Sequence, residues 1–225
     1  MRPARSRVAV VAGRTSEPRV THHPLQLACA GVLVGGASTR FGRDKASALF
    51  AGHTLLNHHI NVLYEAGCNE IVYVGGAPRS DVARDARHVP DATPGQGPLA
   101  GLLALLHDAH RSSALLQHAA VLMIACDIPL LSPATVQRVV AGLGDADVAV
   151  ASAQQDHWSC LAVRVTQYHA LLELFERGER SLRDATQRGS IARVACDEAE
   201  FLNVNDVDTL QRALLTVTND HKLGR

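Results

Sequence analysis

The strongest constraint on the fold is a regular exchange between short apolar runs and longer stretches with helical spacing, which begins near Leu27. Ala28–Val34 and Ala119–Ala125 are apolar along nearly their whole length, as expected of strands buried on both faces of a sheet. Ile71–Val74 and Val148–Ser152 are shorter runs of the same kind. The exchange predicts a single α/β domain of three α/β/α layers with a mainly parallel sheet.

The stretches between these strands carry helix start and stop signals. Thr54 is a suitable N-cap for an amphipathic stretch that Gly67 ends. Pro98 suits a first helical turn, where no amide hydrogen is needed. The predicted helices are Thr54–Ala66, Gly97–His110, Ser132 to about Ala141, Gln167–Arg177 and Val207–Val217.

Residues 145–200 are less regular than the rest of the chain. Two short strands, Val148–Ser152 and Cys160–Val163, lie close together, so part of the sheet is expected to be antiparallel. His157, next to Asp156, is expected in a loop between them, where its ring would be available to a substrate.

Composition excludes several classes of function. Formal net charge is zero and aromatic residues make up 4%, which argues against a nucleic-acid partner. No run of eighteen apolar residues indicates a membrane span. The five cysteines are scattered and odd in number, so a reducing compartment, the cytoplasm, is expected, with all five buried as small apolar side chains.

Domain limits follow from the same pattern. Residues 1–26 are predicted to be an extension that is disordered or precedes the true start, with an edge strand at Val8–Ala12 as the alternative. Residues 27–219 are predicted to form the one domain, and 220–225 a short tail.

A glycine-rich loop with three cations follows the first predicted strand. It runs from Gly35 and Gly36 through Arg40 and Arg43 to Lys45. Glycine lets backbone amides approach phosphate oxygens, and the cations can offset triphosphate charge. Neither a P-loop nor a dinucleotide fingerprint fits the spacing. The loop is therefore interpreted as a triphosphate-binding segment rather than a plain strand-to-helix connection.

Asp127 follows the seven-residue apolar run Ala119–Ala125, from which it is separated by Cys126 alone. It is expected at the carboxyl end of a buried strand, where open α/β sheets bind ligands. A carboxylate there suits Mg²⁺, which takes a few hard oxygen ligands together with substrate phosphates. When Asp127 is considered without the glycine-rich loop, capping of a following helix or turn is the alternative role.

Two more segments are candidates on weaker signals. Asn203 and Asn205 alternate along an extended stretch, so both are expected on one face, where one of them would complete the metal or acceptor site. Asp206 is predicted to be the N-cap of the helix that starts at Val207. The second glycine-rich turn, Gly95–Gly101, is equally consistent with an approach to a nucleobase and with a plain tight turn. The twelve histidines form no zinc motif.

The ordered segments LVGGASTRFGRDK, GPLAG, CDIP, DHW and FLNVND resemble the molybdenum cofactor guanylyltransferase family, and they span residues 33–206. The resemblance implies a Rossmann-like nucleotidyltransferase that uses Mg²⁺ and GTP. The acceptor would be molybdopterin or its molybdenum-loaded form, and pyrophosphate would be released. Transient contact with other molybdenum cofactor proteins is also implied.

Positions that match the family's motifs take their expected roles from the resemblance. Arg40, Lys45 and Asp127 would act in catalysis, with Asp127 and Asn205 at the metal. Asn203, Asn205 and His157 would contact the acceptor. The nucleotide-binding set would be Leu33, Val34, Gly35, Gly36, Lys45, Asp91, Pro98, Leu99, Ala100, Gly101 and Asp127.

The sequence departs from the family pattern at two places, a small change at Val34 and a second that weakens the implied preference for GTP more than the reaction class. Val34 stands where the family usually has alanine, and Val74-Gly75-Gly76 lacks the asparagine that often ends the second strand. Three alternatives to the guanylyltransferase stay open: a cytidylyltransferase acting on molybdopterin, a sugar-phosphate nucleotidyltransferase, and a non-catalytic nucleotide-binding module.

Overall fold

The computed structural model describes residues 25–34, 44–112 and 118–223, with side chains up to residue 218. Within these residues the strands form one seven-stranded sheet and a small two-stranded hairpin. The strands are β1 Gln26–Leu33, β2 Leu49–Phe50, β3 His53–Thr54, β4 Ile71–Val74, β5 Arg87–Val89, β6 Ala119–Ala125, β7 Val148–Ser152, β8 Asp156–Arg164 and β9 Ile191–Ala195.

The order of the large sheet is β5-β4-β1-β6-β8-β7-β9. β8 runs antiparallel to its neighbours β6 and β7, and the other strand pairs are parallel. The chain moves outward from β1 to β4 and β5, then returns to place β6 on the other side of β1. This reversal between β1 and β6 is a switch point, where ligands bind in open α/β sheets.

Helices cover both faces of the sheet. They are α1 Leu55–Glu65, α2 Pro98–Ser112, α3 Pro133–Gly142, α4 Tyr168–Glu176, α5 Leu182–Thr186 and α6 Val207–Leu223. One apolar core lies between the sheet and α1, α3 and α6, and the other between the sheet and α2, α4 and α5. Among the described helices, none combines the length and hydropathy that crossing a bilayer requires.

The predicted three-layer α/β/α architecture with a mainly parallel sheet is confirmed. Several boundaries also agree: Thr54 and Ser132 are N-caps whose hydroxyl groups accept hydrogen bonds from Asn57 N and Thr135 N. β4, β6 and β7 have the predicted limits. The predicted antiparallel element is β8.

Other details differ from the sequence prediction. β8 starts at Asp156 rather than Cys160, because polar residues at its start pair with the end of β7. β5, α5 and the β2–β3 hairpin were not predicted, since each is too short to show periodicity. β9 was not predicted because Arg193 interrupts its apolar residues and none of its positions is fully buried. Cys196 is partly exposed, so the prediction that all five cysteines are buried is wrong at that position. Val8–Ala12 lies outside the described residues.

Candidate active site

Lys45 begins a 3-10 turn, Lys45–Ser47, whose N-cap is Asp44. The Asp44 carboxylate accepts a hydrogen bond from Ala46 N at 3.1 Å and one from the Ser47 hydroxyl at 3.3 Å. Ala46 is buried in the core against α1, which anchors the turn. The capped turn therefore fixes the point from which the Lys45 side chain extends.

The Lys45 ammonium reaches the segment that follows β6. Its Nζ lies 3.4 Å from Asp127 Oδ2 and 2.9 Å from Asn205 Oδ1. The side chains of Lys45 and Asp127 are only 16% and 24% exposed, so this contact is partly shielded from water. A cation, a carboxylate and an amide oxygen thus meet at the switch point between β1 and β6.

The Asp127 carboxylate has a second oxygen, Oδ1, that is buried and has no hydrogen-bond partner among the described residues. Such an atom is costly to bury unless a ligand or ion satisfies it. The neighbouring Cys126 is not a candidate nucleophile, because burial raises the pKa of its thiol to about 12.

Asn203 and Asn205 flank Val204, which is fully buried. The Val204 amide donates to the Asp127 carbonyl oxygen at 2.7 Å, so this segment runs alongside the segment of Asp127. Both asparagines are exposed on the other side, as the predicted alternation requires. Asp206 accepts from Thr209 N at 2.8 Å at the start of α6, which agrees with the N-cap reading.

Arg79 supports the Lys45 turn and was not predicted from the sequence. Its guanidinium forms an ion pair with Asp44 and donates to the Ser47 hydroxyl at 2.8 Å. Its backbone amide donates to the Tyr73 hydroxyl at 2.9 Å. Arg79 is far from Lys45 in sequence and follows no recognisable motif, so only the fold could bring it here.

A cavity of about 370 Å³ opens beside this cluster. Asp127 and Asn203 line it together with Trp158, the largest apolar side chain among the lining residues. The other lining residues are Leu33, Pro98, Met123, Ala125, Ser159, Ser181, Leu182 and Arg183. Trp158, Ser181 and Arg183 were not predicted as site residues. Leu33 and Pro98, predicted to bind nucleotide, do share the cavity with Asp127.

The second glycine-rich turn has clear packing functions. A Cβ on Gly101 would collide with Leu33 Cδ1, so glycine allows α2 to approach the end of β1 without moving the Leu33 side chain. Gly97 has φ +88° and faces the Arg180 carbonyl oxygen, where a Cβ would lie 3.2 Å away. Leu99 is fully buried and Ala100 is 3% exposed. The nucleotide-binding role of these residues stays a prediction.

Asp91 lies away from the Lys45–Asp127 cluster. It lines a different cavity of about 520 Å³, between α2 and α4, together with Ala100. Its carboxylate accepts from Thr93 N at 2.8 Å and so closes a local turn. The structure does not place Asp91 beside Asp127, and its contact with nucleotide stays a prediction.

The predicted loop position of His157 is wrong, because the residue lies within β8 and is 8% exposed. Its Nε2 donates to Glu198 Oε2 at 3.0 Å, and its ring stacks on Phe201 with centroids 4.1 Å apart. The hydrogen bond from His157 lowers the pKa of Glu198. One face of the ring and its Nε2 edge are therefore engaged by the protein, and contact with the acceptor stays a prediction.

Gly35, Gly36, Arg40 and Arg43 lie outside the described residues. Val34, just before them, donates its amide to the Val74 carbonyl oxygen at 3.0 Å, which continues the β1–β4 ladder. The predicted triphosphate loop therefore connects this point at the end of β1 to Lys45.

Two histidines of α1 hold the segment after Asp127. His58 Nε2 lies 2.8 Å from the Pro129 carbonyl oxygen, and His59 Nε2 lies 3.3 Å from that of Ile128. His59 Nδ1 is 2.7 Å from the Leu55 carbonyl oxygen within the same helix. Burial lowers the pKa of both rings, that of His59 to about 4. These histidines position backbone rather than bind zinc.

Comparison with known proteins places this site in a family. The family model described as the MobA-like NTP transferase domain matches residues 30–194, which contain Lys45 and Asp127. The molybdenum cofactor guanylyltransferase of Xanthomonas euvesicatoria pv. vesicatoria is 29% identical over 188 residues, covering 81% of this chain and 92% of that protein.

Solved structures agree in fold. Molybdopterin-guanine dinucleotide biosynthesis protein A from Archaeoglobus fulgidus has a TM-score of 0.68 at 18% identity, covering 85% of this chain and 99% of its own. A Mycobacterium tuberculosis H37Rv protein crystallised in complex with manganese has a TM-score of 0.61 at 18% identity, covering 84% and 98%. With the family model matched over most of its length, this chain belongs to the MobA-like NTP transferase domain family and is a nucleotidyltransferase.

Proposed function

We propose that the enzyme transfers GMP from GTP to a molybdopterin-type acceptor and releases pyrophosphate. The observation that carries the proposal is the meeting of Lys45, Asp127 and Asn205 at the switch point of the sheet. A cation next to hard oxygen ligands suits a polyphosphate better than a neutral substrate. Guanine and molybdopterin enter the proposal through the names of relatives such as the Xanthomonas enzyme.

The residues at the site fit a bound Mg²⁺ ion. Asp127 Oδ1 is buried and unpartnered among the described residues, and Asn205 supplies an amide oxygen. No group of three or more His, Cys, Asp or Glu side chains in the described part of the chain is arranged for a metal. Nucleotide phosphates would therefore complete the coordination, as Mg²⁺ commonly requires. Bound there, the ion would neutralise phosphate charge during transfer.

The reaction needs one displacement at phosphorus. An oxygen of the acceptor's phosphate forms a bond to the α-phosphorus of GTP. The bond from that phosphorus to the oxygen bridging to the β-phosphate breaks, and its electron pair leaves with pyrophosphate. No proton has to be removed from an ionised phosphate, so the site needs no general base.

The protein's part in this step is charge and alignment. Lys45 extends from a capped turn and would place its ammonium on the triphosphate, with Arg40 of the preceding loop as a second cation. Asp127 and Asn205 would fix the other side of the phosphates. Such preorganised groups stabilise developing charge without having to rearrange during the reaction.

The setting of the reaction follows from the same proposal. We place it in the cytoplasm, where all five cysteines would remain thiols, as they are in the structure. Transient contact with other molybdenum cofactor proteins would deliver the acceptor and remove the product.

The decisive experiment measures pyrophosphate release by the purified protein with molybdopterin, Mg²⁺ and each of GTP, CTP, ATP and UTP. Release with GTP at least tenfold faster than with the other nucleotides is the expected result, in line with discrimination by hydrogen bonding to a base. Preference for CTP would identify a cytidylyltransferase instead. Nucleotide-dependent thermal stabilisation with no pyrophosphate release would indicate a binding module, and both results would contradict the proposal.

A further inference from the structure

The cavity beside Asp127 belongs mostly to the second half of the chain, residues 118–223. Of its lining residues only Leu33 and Pro98 come from the first half, residues 25–112. The loop predicted to bind triphosphate leaves β1 in the first half. The two reactants of a transfer must approach the metal site from different sides, so a cavity built by the second half suits the acceptor rather than the nucleotide.

An irregularity in β8 places Trp158 in this cavity. The pairing of β8 with β7 passes from Val150–Leu161 to Ala151–His157, so one step along β7 spans four along β8. On the other side, the ladder with β6 ends at the pair Ile124–Cys160. Trp158 and Ser159 therefore lie beyond the regular pairing. Bulges of this kind re-aim side chains and are common next to active sites.

The indole of Trp158 is available for stacking. The side chain packs on the apolar core between the sheet and α2, yet it is only partly buried. Its ring makes no ring contact and its N–H no hydrogen bond within the described part of the chain. A partly buried indole that packs on the core and has no ring contact among the described residues is suited to a flat heterocycle.

Arg183 supplies a cation at the same cavity. It lies in α5, is exposed, and forms no ion pair with any other described residue. By contrast Arg180, three residues earlier, donates to Gln96 Oε1 at 2.7 Å and covers the Phe175 ring. Of these two arginines, Arg183 is therefore the one that is free to bind an anion, and it is the one that lines the cavity.

We infer that this cavity is the acceptor subsite: Trp158 stacks on the acceptor's bicyclic heterocycle, and Arg183 binds its phosphate monoester. The inference rests on the proposed function and names the side chains that recognise the second substrate. The volume of about 370 Å³ is within the usual range for a small-molecule site. Guanidinium binds phosphate through two parallel hydrogen bonds, which would also orient the attacking oxygen.

The test measures binding of 6-hydroxymethylpterin phosphate by the anisotropy of the pterin's own fluorescence, without nucleotide. Arg183→Gln is expected to weaken binding about tenfold, the usual scale for a charged hydrogen bond. It should leave binding of unphosphorylated 6-hydroxymethylpterin unchanged. Arg188→Gln, another exposed arginine in the turn after α5, is the matched control and should bind the probe normally.

Trp158→Ala is expected to weaken the binding of both pterins about tenfold, in line with the usual strength of aromatic stacking. Trp158→Phe should retain most of the binding, which separates loss of stacking from loss of folding. Trp158 is the only tryptophan in the chain, so its quenching by the pterin in the wild-type protein is a second readout.

Three results would overturn the inference: no binding of the phosphorylated pterin by the wild-type protein, equal binding by all four variants, or quenching of Trp158 by GTP in competition with the pterin. The proposed function is judged separately by pyrophosphate release with GTP and molybdopterin. Normal release with an unchanged acceptor KM in Arg183→Gln and Trp158→Ala would leave the reaction in place and reject this subsite.

Discussion

In the first half of the chain, Lys45 follows a glycine-rich loop whose consecutive residues already suggest phosphate binding. In the second half, Trp158, Arg183 and Asn203 come from three separate elements and meet only in the folded protein. The phosphate-binding segment of the first half thus has a local sequence signature, while the cavity of the second half depends on register and packing. In a transferase, a local sequence motif can bind the nucleotide donor, while an acceptor site is assembled from side chains of separate segments.

The largest effect is expected from Lys45→Ala. Removing one preorganised charge at a transfer site typically lowers kcat by about 10²–10³-fold. Stability should change little, because the Lys45 ammonium contacts only Asp127 and Asn205 among the described residues. Steady-state pyrophosphate release and thermal unfolding, measured on the same preparation, check both statements. Near-normal turnover would show that donor chemistry is not located in the first half.

Acid should lower the stability of the fold through His59, which lies between the two halves. This ring belongs to α1 and faces the Ile128 carbonyl oxygen after Asp127. Burial lowers its pKa from 6.5 to about 4, against the opposing hydrogen bond to Leu55. Below pH 6.5 the unfolded chain binds a proton that the folded chain does not, so the free energy of unfolding falls as pH falls. The loss approaches about 3 kcal/mol near pH 4.

Urea unfolding of wild-type protein and His59→Gln at several pH values measures this effect. The difference in unfolding free energy between the two should shrink as pH falls from 6.5 to 4 and stay constant above pH 7. His58 and Asp127, the neighbouring titratable groups, are unchanged in the variant and cancel in that difference to first order. A difference that does not vary with pH would mean that His59 is not buried in its neutral form.

A smaller effect is expected at Gly101, where α2 meets the end of β1. A Cβ there would collide with Leu33 Cδ1, which must then move into the cavity. Overpacking costs about 1–3 kcal/mol, and the gain in helix propensity offsets about 1 kcal/mol of that. Gly101→Ala should therefore lower the midpoint of thermal unfolding by a few degrees.

Leu33→Ala combined with Gly101→Ala gives the control for that collision. If the two side chains clash, the double variant is less destabilised than the sum of the single variants. Additive losses would place the strain elsewhere along α2.

Sequence reasoning was most successful where a feature is local. The apolar run of β6, the cap Thr54 and the helix start at Ser132 were identifiable because each depends on its own neighbours. Arg79 and Arg183 gave no such signal, since a single arginine far from a motif looks like any surface residue. His157 was placed in a loop because polar residues at the start of β8 hide its pairing with β7.

The smallest effect comes from a pair of matched helix caps, one in each half. Thr54→Ala removes the cap of α1 and Ser132→Ala that of α3, and each should cost about 1 kcal/mol. The Ser132 backbone amide also donates to Glu200 Oε2 at 2.9 Å, a contact that the substitution leaves in place.

These caps test whether the two halves unfold together. Trp158 fluorescence reports the second half, and far-ultraviolet circular dichroism reports the whole chain. Because both apolar cores contain residues from both halves, each variant should shift both signals by the same amount. If Ser132→Ala moved the fluorescence transition while Thr54→Ala did not, the halves would be separate folding units. The acceptor subsite could then unfold while the donor site stays folded.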